Sequence, residues 1–389
     1  MSAFAAVTTG RGTGAISTIQ VFGDDVENIL QKIFKTTSNK SAVFKPGKIL
    51  FGTICRDSRP IDQVTIGCEE PHSFAINCHG NPLLVADIMQ LLQQHGTILI
   101  TVEKLLAKIL SEKQLNTITL EAQLTLPKAM TIEGTKIIAN QIDTGLSRTA
   151  TQWLQNINST PLDQIKVHAK QILEKSRLAK LIIFGCKACL IGPPNTGKST
   201  LLNFLSGRQK AIVSDIKGTT RDWVSAHCKF GCLAVELIDT AGLGQKPVSE
   251  LDKASQLGSL QILQQADLIL LVLDNSQPAL QLNDDLLGKI TGRKILTVLN
   301  KADLPVRFDT AKLPQTIRST VQISAKLGTG IENLTKKIPE MLDVVGFDLK
   351  QPVCITNRQQ NLLKQLTTVE SSSQAVPLIT ELLNGRLCV

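Results

Sequence analysis

Gly192-Pro193-Pro194-Asn195-Thr196-Gly197-Lys198-Ser199 follows the apolar run Cys189-Leu190-Ile191 and leads into Thr200-Leu201-Leu202-Asn203-Phe204-Leu205. The octapeptide fits the pattern GxxxxGK[ST], and its flanks supply the strand–loop–helix context that the pattern requires. The two glycines let the backbone fold tightly enough for successive N–H groups to converge on phosphate oxygens. The helix that follows turns its positive dipole end toward the same point. Lys198 suits the outer phosphates of a nucleoside triphosphate, and the Ser199 hydroxyl suits Mg²⁺. Thr196 and Thr200 flank these groups and are expected to contact the nucleotide too. Such a motif standing alone is often only a Gly-rich turn, so the segments around it decide the reading.

Further segments follow in order, most of them at the end of an apolar run. Asp239-Thr240-Ala241-Gly242 follows Val235-Glu236-Leu237-Ile238. An Asp at a strand's end can hold the Mg²⁺ shell, and a Gly N–H can sense the γ-phosphate. Asn300-Lys301-Ala302-Asp303 follows Ile295–Leu299. The Asp303 carboxylate can accept hydrogen bonds from both the amino group and the ring N–H of guanine, a donor pair that adenine lacks. Ser324-Ala325-Lys326 offers a backbone N–H to the guanine oxygen. Between the first two motifs, Gly218-Thr219-Thr220-Arg221-Asp222 lies where a switch loop places a Thr on Mg²⁺, here Thr220; Ser214 and Asp215 belong to the same loop. Together these imply a GTP- or GDP-binding site with Mg²⁺ on Ser199 and Thr220.

Working outward, residues 185–345 alternate apolar strand runs with helical stretches, which means a mostly parallel sheet covered by helices on both faces. Residues 1–95 mix short strands with the amphipathic helix Pro82–Gln94, an α+β pattern. Residues 96–184 turn helical, most clearly over 162–182, and 346–389 are helical again, with 358–375 read as one stretch. The expected architecture is α/β, with a P-loop domain at 185–345 inserted in a helical domain formed by 96–184 and 346–389, preceded by the domain 1–95.

Composition agrees with a globular chain. Its 389 residues suit two or three domains, and 42% of them are apolar. No run reaches the ~18 apolar residues of a membrane span, and the first residues do not resemble a secretory leader, so a cytoplasmic location is expected. A net charge of +9 fits either a polyanionic partner or ordinary solubility. An aromatic content of 3% and no Tyr argue against base stacking as the way to hold RNA. Cys186 and Cys189 form a CxxC with no second metal-spaced pair, which marks them as core thiols; Cys228 and Cys232 flank a hairpin-like turn at Gly231.

Leu243 stands where Ras-type enzymes place a water-orienting Gln, so the hydrolytic apparatus differs. Asn195, together with the long loop ending in Gly218–Asp222, resembles the K⁺-dependent subgroup of P-loop GTPases. That resemblance implies K⁺ ligands from Asn195, Ser214, Ile216 (through its carbonyl) and Thr219.

The chain as a whole resembles the tRNA-modification GTPase family MnmE (also called TrmE). Residues 3–23, Phe51-Gly52-Thr53-Ile54, Pro71-His72-Ser73-Phe74, Cys78-His79-Gly80 and residues 193–222 carry the likeness. It implies an N-terminal folate-binding and dimerisation domain, hence a homodimer, and action on uridine 34 of tRNA with MnmG, a flavin protein. It also implies a one-carbon unit from a tetrahydrofolate derivative. The family's folate-contacting Arg and Glu correspond here to Gln20 and Ala75, and its basic residue to Lys113. Cys388 matches the tail Cys, and the sequence ends at Val389 ahead of the family's final Lys. The water-orienting Glu falls at Ser255, leaving Glu250 and Asp252 nearby as substitutes. Two functions are therefore expected in competition: a tRNA-modifying GTPase, and a divergent GTP-dependent switch that binds RNA or a partner without one-carbon transfer.

Overall fold

The computed structural model describes residues 2–10, 12–37, 41–111, 115–208, 224–240, 250–278, 281–282 and 284–385. The chain divides into two compact units, Met1–Leu120 and Glu121–Gly385.

The first unit contains β1 (Phe4–Val7), β2 (Ile16–Phe22), α1 (Val26–Ile33), β3 (Phe34–Thr36), β4 (Ile49–Arg56), β5 (Arg59–Glu70), β6 (Ser73–His79), α2 (Pro82–Gln94), β7 (Ile98–Leu99) and α3 (Val102–Ser111). The strands form one sheet in the order β3-β4-β5-β6-β2-β1-β7. Every pairing is antiparallel except β1 with β7. Alternate residues of β2 and β5, among them Ile19, Val21, Val64 and Ile66, are buried in one core with α1 and α2, the period-2 pattern of a sheet with one packed face. The β4–β5 turn places Asp57 and Ser58 at φ 47° and 69°, the positive-φ geometry that matches the twist of a two-residue hairpin. Asn81 caps α2 by accepting from the Leu83 N–H at 2.9 Å, and Pro82 occupies the first turn, where its missing N–H costs nothing.

Helix α4 (Thr117–Thr125) crosses into the second unit. There α5 (Ile132–Asp143), α6 (Leu146–Gln155) and α7 (Leu162–Phe184) precede the nucleotide-binding sheet. That sheet and its helices run β8 (Cys186–Ile191), α8 (Lys198–Arg208), β9 (Val224–Phe230), β10 (Leu233–Asp239), α9 (Glu250–Gln265), β11 (Leu268–Asp274), α10 (Asp284–Ile290), β12 (Ile295–Asn300), β13 (Thr320–Gln322) and α11 (Ile331–Met341). Strand order is β13-β12-β11-β8-β10-β9, parallel except for the edge strand β9. Residues of α8 and α11 pack on one face and those of α9 and α10 on the other. Every residue of β11 and of β12 is buried, as a strand covered on both sides must be. Cys186, Cys189 and Cys228 are buried in these cores. Burial pushes the first two thiols up to about 12 and the third to about 11, so they behave as small hydrophobes. Gly231, at φ 60°, makes the β9–β10 turn.

Two buried polar clusters stitch the helices before this sheet to those after it, α12 (Asn357–Leu366) and α13 (Ser372–Asn384). Gln141, fully buried, accepts from the N–H groups of Leu146 (2.9 Å) and Val353 (3.0 Å) and donates to the carbonyls of Ile137 and Gln351. Glu121 accepts from Arg358 at 2.8 and 2.9 Å, from Gln359 at 2.7 Å and from Thr356 at 2.9 Å. Removing one member of such a buried ion pair costs about 3–5 kcal/mol. The P-loop domain is thus inserted in a helical domain, as expected. The stretch 358–375 is not one helix. It breaks after Leu366, where the β-branched Thr367-Thr368-Val369 crowds a helix and Ser371 begins the next one.

Candidate functional site

The phosphate loop is built from backbone conformations that few residues adopt. Gly192 and Gly197 stand at φ 148° and 93°, with Asn195 between them at 61°. A Cβ on Gly192 would lie 2.1 Å from the Val272 carbonyl oxygen, and one on Gly197 would lie 2.3 Å from Asn300 Nδ2. Both positions require glycine, and Asn is the side-chain residue that best tolerates the left-handed region. Thr196 is buried and donates to the Pro193 carbonyl at 3.0 Å, so its hydroxyl shapes the loop. Lys198 Nζ donates to the carbonyls of Gly192 (3.0 Å) and Pro193 (2.9 Å). Burial lowers its pKa, against the pull of Asp239.

Lys198 is the first residue of α8, so Ser199 and the exposed Thr200 sit in the turn whose N–H groups have no helical acceptor. Ser199 Oγ donates to Asp239 Oδ2 at 2.8 Å. The other carboxylate oxygen, Asp239 Oδ1, is buried without a hydrogen-bond partner among the described residues. A hydroxyl beside an orphaned carboxylate oxygen is a donor set that fits a hard divalent cation. Thr240 turns its hydroxyl to the Leu190 carbonyl at 2.9 Å and so anchors the strand end.

At the base end, Asn300 is buried and joins three segments. Its Nδ2 donates to the Thr196 carbonyl at 2.8 Å, and its Oδ1 accepts from the Ala325 N–H at 2.9 Å. The Ser324 N–H is spent on the Thr329 carbonyl at 2.9 Å. Of the backbone amides of Ser324, Ala325 and Lys326, the first two are therefore engaged within the protein. Asp303 is exposed, and a hydrogen bond from Ser324 together with the charges of Lys326 and Lys301 holds its carboxyl below the usual value. It is an ionised acceptor, as recognition of the guanine edge requires. Lys301, at φ 63°, places Nζ 2.6 Å from Asp274 Oδ2. Sequence reasoning missed Asp274, although its position ending β11, in register with Asn300 on β12, is a usable signal.

Several expected residues lie outside the described ones: Ser214, Asp215, Ile216, Gly218, Thr219, Thr220, Ala241, Gly242, Leu243, Lys113 and Cys388. Glu250 is the first residue of α9. In the first unit, Gln20 and Ala75 are direct cross-strand partners on β2 and β6. Gln20 Nε2 is buried and donates to Glu69 Oε2 at 2.8 Å and to Ser73 Oγ at 3.1 Å.

A doubly wound sheet with a phosphate loop after its first strand and the Asn-Lys-Ala-Asp loop Asn300–Asp303 after β12 defines a P-loop GTPase. The family model described as 50S ribosome-binding GTPase matches residues 187–301, and that for the N-terminus of the GTP-binding protein TrmE matches residues 3–102. The tRNA modification GTPase MnmE of Lactiplantibacillus plantarum is 30% identical, over 93% of this chain and 86% of its own length. Those of Ligilactobacillus salivarius (28% identity, 96% and 87% covered) and Enterococcus faecalis (29%, 98% and 88%) are similar. The chain belongs to the MnmE family.

Proposed function

We propose that this GTPase drives modification of the wobble uridine, U34, of tRNA in the cytoplasm, as a homodimer joined through its N-terminal domain and together with an MnmG-like flavin protein. The observation that carries this reading is a likeness to tRNA modification GTPases that runs over 93% of the chain and so includes the N-terminal unit as well as the P-loop domain. The domain limits at 95, 184 and 345 belong to the same proposal.

In the nucleotide site Lys198 binds the outer phosphates, and Asp303 selects guanine with Asn300 and Lys301 behind it. Ser199, Asp239 and Thr220 would hold Mg²⁺; Asn195, Ser214, Ile216 and Thr219 would hold K⁺. Bound there, the two cations offset charge on the phosphates, K⁺ in the role other GTPases give to an arginine. Glu250 is the carboxylate assigned to orient water, since Leu243 has no polar atom to do so. Hydrolysis in KCl should exceed that in NaCl; equal rates would remove the K⁺ assignment. A deletion strain whose U34 is modified normally would overturn the tRNA reading.

A specific observation favours a second reading, in which one-carbon transfer has been lost. Both donors of the Gln20 amide are spent on Glu69 and Ser73, and Ala75 opposite carries no polar atom. The described residues at these two positions do not fit a folate's carboxylate or pterin. Calorimetry with a reduced folate should give no heat at micromolar concentrations, while GDP titrates normally. Saturable folate binding would reject this reading.

A further inference from the structure

We propose that Asp274 is a positioning residue for guanine recognition: it fixes the Lys301 head group and, with Asn275, holds the base-reading loop in place before nucleotide binds. The proposal deepens the assignment of Asn300–Asp303 to the base.

Asp274 ends a strand whose every residue is buried, directly opposite Asn300. Its Oδ2 lies 2.6 Å from Lys301 Nζ, and its own side chain is only 10% exposed. Surface ion pairs contribute little because water and salt compete for both partners. A shielded carboxylate has less water to fall back on and needs its partner.

Asp274 is itself held on three sides. Its Oδ1 accepts from the Ser276 N–H (2.9 Å) and the Ser276 hydroxyl (2.6 Å). The Gln281 amide clasps its backbone, accepting from the Asp274 N–H at 2.9 Å and donating to the Asp274 carbonyl at 2.7 Å. Burial works to raise the Asp274 carboxyl, yet the hydrogen bonds from Lys301 and Ser276 outweigh it and hold the group below its ordinary range.

The next residue braces the backbone. The Asn275 N–H donates to the Asn300 carbonyl at 2.8 Å, while the Asn275 carbonyl accepts from the N–H groups of Arg307 (3.0 Å) and Phe308 (3.2 Å). Both ends of the segment carrying Lys301 and Asp303 are thereby tied to the end of β11. Lys301 adopts the left-handed region, φ 63°, which a lysine takes up only where its surroundings over-determine it. With its head group anchored, the long Lys301 side chain is ordered in advance, and nucleotide binding does not bear the entropy of ordering it.

The test is a double-mutant cycle in the full-length chain, read by displacement of a fluorescent GDP and by steady-state hydrolysis. Asp274→Ala and Lys301→Ala should each weaken GDP about tenfold, and the double variant should be no weaker than Lys301→Ala alone. GTP and GDP should lose by the same factor, because the contact is at the base end. KM should rise while kcat at saturating GTP moves less than about twofold. An unchanged GDP affinity in Asp274→Ala would overturn the proposal, as would a double variant whose loss equals the product of the two singles. Should Asp274→Ala fold poorly, Asp274→Asn, which keeps the shape and can still accept from Ser276 but lacks the charge, is read in the same cycle with the same criteria. Wild-type protein that binds no GDP would instead bring down the assignment of the base-reading loop beneath it.

Discussion

The nucleotide loop and the face around Gln20 differ in what their polar atoms are already doing. In the loop, Asp239 Oδ1 is buried and unpartnered among the described residues, Lys198 is desolvated, and three residues between 192 and 197 hold positive φ. The orphaned oxygen, the burial of the Lys198 ammonium and the left-handed Asn195 each cost free energy, which for Lys198 is offset in part by two carbonyls. Around Gln20 the reverse holds: the amide has found Glu69 and Ser73, and Ala75 asks for nothing. Polar groups left short of partners in a strained setting mark a site kept for a ligand. Polar groups that satisfy one another mark packing.

The contrast breaks first if the loop proves dispensable. Lys198→Ala should lower GTP hydrolysis by about 10²- to 10³-fold in a phosphate-release assay; a variant keeping more than a tenth of wild-type activity would remove the loop from the site. Asp303→Asn comes next. It turns an acceptor of two hydrogen bonds into a group that also donates, so guanine nucleotides should lose about 10²-fold in competition binding. Xanthosine diphosphate, with a carbonyl where guanine has an amino group, should gain; unchanged guanine preference would place base reading elsewhere.

Acidification sharpens the same point with a smaller effect. The Asp303 carboxyl lies below its ordinary value of 3.8, chiefly through its hydrogen bond from Ser324. A depressed pKa means the charged form persists above the ordinary value and is lost only as pH falls through the depressed one. GDP affinity should therefore hold steady from pH 7 down to about 5 as far as this group is concerned. A loss centred well above that would assign base recognition to a different titrating residue.

Much of the site was legible because its chemistry is local. GxxxxGK[ST] and the Asn300–Asp303 run each hold their geometry within a few residues, and the short, largely apolar runs that became β11 and β12 are too short for helices and read as strands buried on both faces. Helix Pro82–Gln94 carried its start signals, Asn81 and Pro82, in sequence. Asp274 was not legible, since its partner Lys301 is 27 positions away and meets it only through the register of two parallel strands. The break after Leu366 was missed because Thr and Val are weak helix formers rather than breakers. The last strand of the sheet pairs only over Thr320–Gln322. Ser324 instead bridges to Thr329 and closes the turn that carries Lys326.

The smallest effect tests the other half of the contrast. If Gln20 is packing, Gln20→Ala should touch stability alone. It removes the donor to Glu69 Oε2 at 2.8 Å and to Ser73 Oγ at 3.1 Å, in a position only 7% exposed. Stripping partners from buried acceptors costs about 1–3 kcal/mol; Glu69 is exposed and recovers water, so the lower end of that range is expected in a denaturant titration. GTP hydrolysis in the same preparation should match wild type, because Gln20 lies in the first compact unit and every described nucleotide-site residue lies in the second. A variant as stable as wild type that had lost tRNA modification would show that the amide serves a ligand after all, and the distinction between spent and waiting polar groups would fail at the position where it was drawn.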